Sequence, residues 1–572
     1  MASLVFTAVA LATVWLTLRA LRFARNTRRA RKSGLPYTFS LVTELEVWAY
    51  LTDPFFRKIF RQHLLQHQQG WPRWARFMIK DWMYEDKYRA HDEFGDVFLV
   101  VSPGGIICYI ADPNTALDLC LRRRDFVKPR EKMKMIEPFG SNVVSSEGEL
   151  WRLHYRITAP PFADAVNELV WTETKRQAAP LRTAWASHGV NTLKSDVYTI
   201  GVNVMASAGF GRPREWIAEQ TPVDGHELSL LNSIYGVVTF LPLILLLPKI
   251  LLKFFCKAAY VAYSEFEQYM REFIAEEKSQ LSKQTGHGNK PISGCNLLRT
   301  MLATNAREQG VQTDDKQARM HLTENEVLGN IFMFFMAGYD TTANTIIFSC
   351  VAMALFEDTQ NRVLDELDAV LHDSQACGRN ELSYIEDFPR LRELLAYLYE
   401  TLRVFPVVLP IGRQASGRQL LKLDTAMASV PVLDVGLPDK CGVIANITGV
   451  HYNPRWWPEP EVFQPMRWLS RHPNAFVPSQ SKPCDLDSDV RIPSHRRGTF
   501  LTFSEGPRAC LGRRFAQAEY VAFFAEILQH HKLKLAPGVD RAEVEKLFRS
   551  CSAGSPITLA PPADIRLQLV PR

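Results

Sequence analysis

The stretch FLTFSEGPRACLGRRF at 500–515 holds one cysteine among glycines, arginines and a proline. Gly506 and Gly512 stand four residues before and two after Cys510. Glycine tolerates positive φ and lets backbone approach closely. The following RRFAQAEYVAFFAEILQHHKL has helical periodicity. Cys510 is therefore expected at or near a helix amino terminus, where partly positive N–H groups stabilise an anion and lower a thiol's pKa. A thiolate held in a glycine turn is a good axial ligand for iron, and such ligation pushes electron density toward O–O cleavage. The bland alternative is a free cysteine in a core turn.

Two further constellations are independent of the first. MAGYDTTANT at 336–345 lies inside the long apolar run NIFMFFMAGYDTTANTIIFSCVAMALF. Ala337 and Gly338 fall one helical turn before Thr341, on the same face, and their small size leaves room for a flat cofactor and O2. Asp340 and Thr341 add a carboxylate and a hydroxyl deep in an apolar helix, where polar groups are costly without partners. The alternative is a packed helix whose threonines bond its own backbone. YETLRVFP at 399–406 supplies Glu400 and Arg403, an i,i+3 ion pair, and FQPMRWL at 463–469 adds Arg467 and Trp468.

Phe503, Gly506, Arg508, Cys510 and Gly512 fit F-x-x-G-x-R-x-C-x-G, and in this the chain resembles the cytochrome P450 family. The resemblance implies that Cys510 is the proximal haem ligand, that Arg508 pairs a propionate and that Phe503 shields the sulfur. It implies that Ala337, Gly338, Asp340 and Thr341 form the oxygen-activation motif, with Thr341 hydrogen-bonding the O2, Asp340 relaying protons and Thr342 assisting. Glu400, Arg403 and Arg467 fit the family's structural triad, with Met466 where an acid often stands. Arg413 in PVVLPIGR matches a propionate-binding arginine, against the alternative of a surface arginine. WRLHYRITAPPF at 151–162 resembles the helix beneath the haem edge, with Trp151 on a propionate. Four positions on, the family often has a basic residue. Here that slot holds Tyr155; either its hydroxyl serves or Arg152 compensates. His154 and His451 have no partner spacing and read as structural, and the sequon at Asn446 would stay unmodified in a cytoplasmic domain.

The elements that must position these residues come from the rest of the 572-residue chain. The net charge is +6, yet Arg19, Arg22, Arg25, Arg28, Arg29, Arg31 and Lys32 alone exceed it. The remainder is close to neutral, which argues against a nucleic-acid surface. Ten dispersed cysteines without a CxxC pair suit a reducing compartment. The uncharged run at 2–18 followed by that basic block reads as a signal anchor rather than a cleaved peptide. The positive-inside rule then puts the domain in the cytoplasm, at the endoplasmic reticulum membrane. A second apolar stretch at 234–255 is broken by Pro242 and Pro248. It reads as a surface element dipping into the membrane, or as a buried helix pair. DVFLVVSPGGIICYI at 96–110 reads as strand, turn, strand; DPNTALDLCLRRR as a helix; helices dominate 148–405; 281–296 and 470–498 are loops; ADIRLQLVPR alternates like a terminal strand.

The resemblance covers essentially everything after the anchor. The expectation is therefore an anchor and linker at 1–35 and one catalytic domain at 36–572, mainly α with small β-sheets in the cytochrome P450 fold. It implies haem b as cofactor, O2 and NADPH-derived electrons as co-substrates, and oxygen insertion into a hydrophobic small molecule. Electrons would come from an NADPH–cytochrome P450 reductase or cytochrome b5, with Arg152, Arg513 and Arg514 toward the donor. The layout resembles fungal microsomal members that tailor secondary metabolites. The pocket walls are expected at 131–149, 331–340 and 407–409, with Met133, Phe139, Val143, Phe335 and Val408 inside. Two rivals differ in class: a haem-thiolate isomerase or dehydratase that needs no reductase, and a non-enzymatic haem sensor or carrier.

Overall fold

The structure, a computed structural model, describes residues 2–44, 46, 49, 52–53, 55–59, 71–216, 221–284, 296–309, 320–423, 433–469, 497–549, 558–561 and 565–572. Most of the two expected loops (285–295 and 470–496) lies outside these residues, as do Cys295, Cys484 and Cys551. The seven described cysteines are free thiols.

The organising element is the helix Glu324–Leu355. A capping box starts it: Glu326 N–H donates to Thr323 Oγ1 (3.4 Å) and Thr323 N–H to Glu326 Oε2 (2.8 Å). Its sequence is apolar on every side, so it is covered on every side. From Glu326 to Leu355 only Ala337, Gly338, Thr341 and Ala354 escape burial. The first three form one patch, the groove expected from the sequence. Helices Leu193–Val204 and Arg392–Val404 pack against this central helix, and Asp164–His188 packs along Arg513–Leu528. Gly201 makes one of these contacts close, since a Cβ there would stand 3.3 Å from the Tyr339 carbonyl oxygen.

Beside the helices lies a six-stranded sheet in the order β1-β2-β3-β8-β5-β4. Its strands are β1 (Tyr37–Phe39), β2 (Val97–Ser102), β3 (Gly105–Ile110), β4 (Phe126–Val127), β5 (Pro410–Ala415) and β8 (Gly442–Asn446). β2 and β3 form the expected hairpin, with Val97 opposite Ile110 and Ser102 opposite Gly105. β5 runs antiparallel to β8 with Arg413 opposite Val443. Two pairs complete the strands: β6 (Gln419–Leu423) with β7 (Leu433–Leu437), and β9 (His531–Leu535) with β10 (Leu567–Pro571). β10 is the terminal strand that the alternation predicted.

The apolar stretch at 234–255 is three short helices, Leu230–Thr239, Leu241–Leu246 and Lys249–Phe255. Pro242 lies in the first turn of the second and Pro248 precedes the third. Neither expected form holds alone. Ile234, Val237 and Leu252 face the core, while Leu246, Ile250, Phe254 and Phe255 face outward. The amino-terminal helix α1 (Ala2–Arg31) passes without a break through the boundary between apolar run and basic block. Its second half lies on the sheet, so most of the expected anchor and linker at 1–35, basic block included, is one helix.

Candidate active site

A cavity of about 360 Å³ opens between the small-residue patch of the central helix and the 501–512 loop. Ala337, Gly338 and Thr341 form one wall and Phe503, Arg508, Cys510 and Gly512 another. Two of the sequence-derived motifs thus converge on one space, and a third lines it through Trp151 and Tyr155.

The cysteine loop is built from the backbone outward. Cys510 N–H donates to the Phe503 carbonyl oxygen (2.8 Å), closing a turn. Gly506 supplies the reversal with φ +70°, and a Cβ there would stand 3.0 Å from the Cys120 carbonyl oxygen. Gly512 differs from expectation. Its φ is −86° and a Cβ would meet nothing nearer than Phe162 Cε1 at 3.8 Å, so the fold does not require glycine there. A Cβ would instead enter the cavity.

Cys510 is open only to the cavity and otherwise surrounded by protein. The expected drop in its pKa does not occur in the protein alone. Burial pushes the thiol up, against the opposing pull of the Gly512 backbone N–H and the Arg513 charge. The helix-terminus effect is present but smaller than desolvation. A bound metal would reverse the balance, because ligation displaces the thiol proton.

The floor of the cavity is strongly cationic. Arg508 donates to the carbonyl oxygens of Val143 (3.1 Å) and Ser146 (2.7 Å), pairs with Glu147 (2.9 Å) and lies over the Trp151 ring. Burial brings its pKa down to about 10 despite Glu147. Arg413 is buried, which removes the surface alternative; it does not itself line the cavity but lies near enough to Lys128 and Arg508 to act on both, and its guanidinium donates to the Gly412 carbonyl oxygen (2.9 Å). Lys128 Nζ donates to the Val144 carbonyl oxygen (2.6 Å). Burial depresses the pKa of Lys128, and Arg413 and Arg508 depress it further. Among the described residues, Glu147 is the one acid bearing on all three cations. Sequence reasoning missed Lys128 and Glu147, which sit in irregular chain with no periodicity to mark them.

The buried Arg413, the Arg508 side chain and the half-buried Lys128 share one nearby carboxylate among the described residues, an excess of positive charge that is costly without an anion. A haem brings two propionates. The residues present fit that group: a thiol aimed into the cavity, an excess of buried cations on one side, and a glycine whose missing Cβ leaves room.

Tyr155 lines the cavity with its ring tilted 42° to that of Trp151, ring centroids 5.2 Å apart. Arg152 instead pairs with Glu149 on the surface. Of the two alternatives, Tyr155 is the one brought to the site.

Thr341 Oγ1 donates to the Ala337 carbonyl oxygen (2.7 Å). Asp340 does not line the cavity. One residue along a helix is a turn of about 100°, and its carboxylate points the other way. There it accepts from Tyr198 Oη (2.8 Å), Thr558 Oγ1 (2.6 Å) and Asn344 Nδ2 (3.3 Å). The same geometry corrects the pocket walls. Val143, Met333, Phe334, Val407 and Val408 line the cavity. Phe335 stacks outward on Phe210, Phe139 stacks on Tyr263, and Met133 is not in the wall.

Glu400, Arg403 and Arg467 lie apart from the cavity as a buried cluster. Glu400 receives Arg403 (2.8 and 2.9 Å), Arg467 Nε (3.1 Å), Trp468 Nε1 (3.0 Å) and the Gln464 N–H (2.8 Å). Burial alone would raise its pKa, but the two arginines pull it below the ordinary value. His451 is buried and bridges Arg403 O (3.2 Å) and the Leu501 N–H (3.1 Å), a structural role. Asn446 is fully buried and caps a helix through the Gly449 N–H, so its sequon is closed to modification in the folded protein.

The sequence model of the family described as Cytochrome P450 matches residues 69–557. A "Cytochrome P450 monooxygenase prx9" of Penicillium rubens is 37% identical over 98% of this chain and 96% of its own. A "Cytochrome P450 monooxygenase ORF6" of Penicillium roqueforti is 36% identical over the same shares. A solved zebra fish cytochrome P450 with progesterone superposes with a TM-score of 0.62 at 19% identity, over 85% of this chain and 98% of that one, a likeness of fold. With the motifs, the cavity and these relatives in agreement, the chain belongs to the cytochrome P450 family of haem-thiolate monooxygenases.

Proposed function

We propose that this enzyme inserts one oxygen atom of O2 into a hydrophobic small molecule, by hydroxylation or epoxidation, in fungal secondary metabolism. The observation that carries the site assignment is the charge imbalance at the floor of the cavity. Among the described residues, Lys128, Arg413 and Arg508 share Glu147 as their common carboxylate, and a thiol opens into the cavity that Lys128 and Arg508 line.

Cys510 would hold the iron, and Arg508, Arg413 and Lys128, with Trp151 and Tyr155, the propionates. Phe503, which lines the same cavity, would shield the sulfur. When bound, the haem supplies the oxygen chemistry: R–H, O2, two electrons and two protons give R–OH and water. The chain's residues orient and protect. Val143, Met333, Phe334 and Val408 exclude water and hold an apolar substrate by shape. Thr341 keeps its hydroxyl proton on the Ala337 carbonyl oxygen until a better acceptor enters the groove. Asp340 stands behind it, and its side chain would have to rotate toward the cavity to relay protons there.

Electrons would come from an NADPH-dependent reductase, with the exposed Arg152 and Arg513 on the face that meets it. The apolar half of α1 would anchor the enzyme in the endoplasmic reticulum membrane. Leu246, Ile250, Phe254 and Phe255 would give the domain a second lipid contact.

The test is the carbon monoxide difference spectrum of dithionite-reduced membranes, wild type against Cys510→Ser. A red-shifted Soret band lost in the variant supports Cys510 as ligand. A folded, haem-loaded wild type without that band overturns the assignment. NADPH consumption with reductase and a lipophilic substrate panel then separates oxygen insertion from the isomerase and carrier readings, neither of which consumes NADPH.

A further inference from the structure

The helix α1 has two halves with different surroundings. Phe6, Val9, Leu11, Leu16 and Leu18 stand clear of the protein. From Arg19 onward the helix is held. Arg19 pairs with Glu46 (2.7 Å) and donates to the Leu41 carbonyl oxygen (3.0 Å). Phe23 packs edge-on against Phe39, with centroids 5.3 Å apart. Asn26 is buried and its Nδ2 donates to the Ser102 carbonyl oxygen (2.9 Å) at the end of β2. Ala30 is fully buried in the cluster that includes Val97, Leu99 and Val101. Residues 19, 23, 26 and 30 recur at the spacing of one helix face. Arg22, Arg25 and Arg28 run from the flank of this face round to the opposite side, all exposed.

The helix also ends in order. Ser33 Oγ donates to the Ala30 carbonyl oxygen (2.6 Å) and accepts from the Leu35 N–H (3.3 Å). The chain then enters β1, which pairs parallel to β2 from Tyr37 opposite Leu99 to Phe39 opposite Val101. A flexible linker would have none of these contacts.

We propose that residues 19–31 are a structural element of the catalytic domain, so that the apolar half of α1 and the domain form one rigid body. The domain then meets the bilayer in a single orientation. Phe39 and Leu41, the latter 72% exposed and beside Arg19 where the apolar half ends, lie at the lipid surface. The orientation rests on the anchor reading above; the docking of 19–31 does not.

The basic face makes the docking testable, because 19–32 contains seven trypsin sites. Full-length holoenzyme, in nanodiscs and separately in detergent, is treated with trypsin beside a Phe23→Ala/Asn26→Ala variant. The carbon monoxide spectrum checks that both remain folded. Cleavage of a docked helix waits for local opening, so the variant should be cut in this segment roughly tenfold faster or more in both media. Equal rates in detergent, fast or slow, overturn the docking. For the orientation, polarised absorption of the haem in oriented bilayers should give one narrow tilt. A Gly-Gly-Ser insertion between Leu18 and Arg19 should broaden it. Equal widths overturn the rigid coupling. Release of the wild type from membranes by alkaline carbonate would instead refute the anchor reading and leave the docking result standing.

Discussion

Replacing Arg413 with methionine tests whether the cationic floor exists to hold the cofactor. The guanidinium is buried and donates to its neighbour's carbonyl oxygen. Burial, the largest influence on it, lowers its pKa, with Cys120 and Glu147 opposing. A cation in that state is a net cost to the protein without an anion. With a carboxylate about 4 Å away, an effective dielectric of about 20 gives an attraction of about 4 kcal/mol. A charged hydrogen bond retains about 1.5–3 kcal/mol of this after desolvation. A loss of about 2 kcal/mol corresponds to haem leaving about 30-fold faster. Transfer of haem to excess apomyoglobin, followed in the Soret region, reads that rate directly. The sign reverses without cofactor: the methionine form of the apoprotein should be no less stable than wild type. Haem transfer within twofold of wild type would refute the charge argument. So would equal destabilisation of apo and holo forms, which is what a purely structural arginine would give.

Glu400→Gln leaves Arg403 and Arg467 buried without their carboxylate, at a cost of about 3–5 kcal/mol; a sharp fall in the thermal midpoint and in haem-loaded yield is expected. Gly512→Ala should leave apoprotein stability unchanged, because φ is −86° and the nearest atom is 3.8 Å away, yet reduce haem incorporation measured by the pyridine haemochrome. Tyr155→Phe should speed haem loss, whereas Arg152→Ala should not, since Arg152 pairs with Glu149. Burial holds His91 and His451 down to about 3, so each removes stability as pH falls from 6.5 toward 3. Burial pushes Glu366 and Glu519 up to about 8, so each removes stability as pH rises from 4.5 toward 8. The two pairs oppose each other between about 4.5 and 6.5. A Glu366→Gln/Glu519→Gln variant should therefore lose less of its thermal midpoint than wild type as pH rises toward 8, measured by calorimetry.

What could be read from the sequence was what local spacing determines. The cysteine loop, the groove residues and the Glu400 cluster each combine rare residue types at fixed separations, and each appears where expected. Phe335 was a failure of periodicity rather than of information. Counting back from Thr341 by turns gives 337 and then 333 or 334, and excludes 335. Asp340 follows the same rule, since a neighbour of Thr341 along the helix cannot share its face. Lys128 and Glu147 could not be read, because their role arises only when β5, the 501–512 loop and irregular chain converge. The docking of α1 was hidden for another reason. The arginines mask Phe23, Asn26 and Ala30, whose i, i+3 and i+4 spacing is visible once the basic residues are set aside.

The polar groups around the cavity are distributed unevenly, and that has a consequence for specificity. Cations concentrate at the floor, where a propionate-bearing group would neutralise them. On the opposite wall the hydroxyls of Thr341 and Thr345 are donated to carbonyl oxygens of their own helix. The Asp340 carboxylate is turned away and held by three neutral donors, Tyr198, Thr558 and Asn344. A substrate entering this space finds apolar side chains and few free hydrogen-bonding groups. Its position must then follow from the shapes of Val143, Met333, Phe334, Val407 and Val408. A methylene more or less in such a wall is worth about 1–3 kcal/mol. The site of oxidation on a given substrate should therefore move with single apolar substitutions such as Val408→Phe. Product ratios by mass spectrometry on one substrate would measure this, and unchanged ratios would mean that a polar contact sets the position instead.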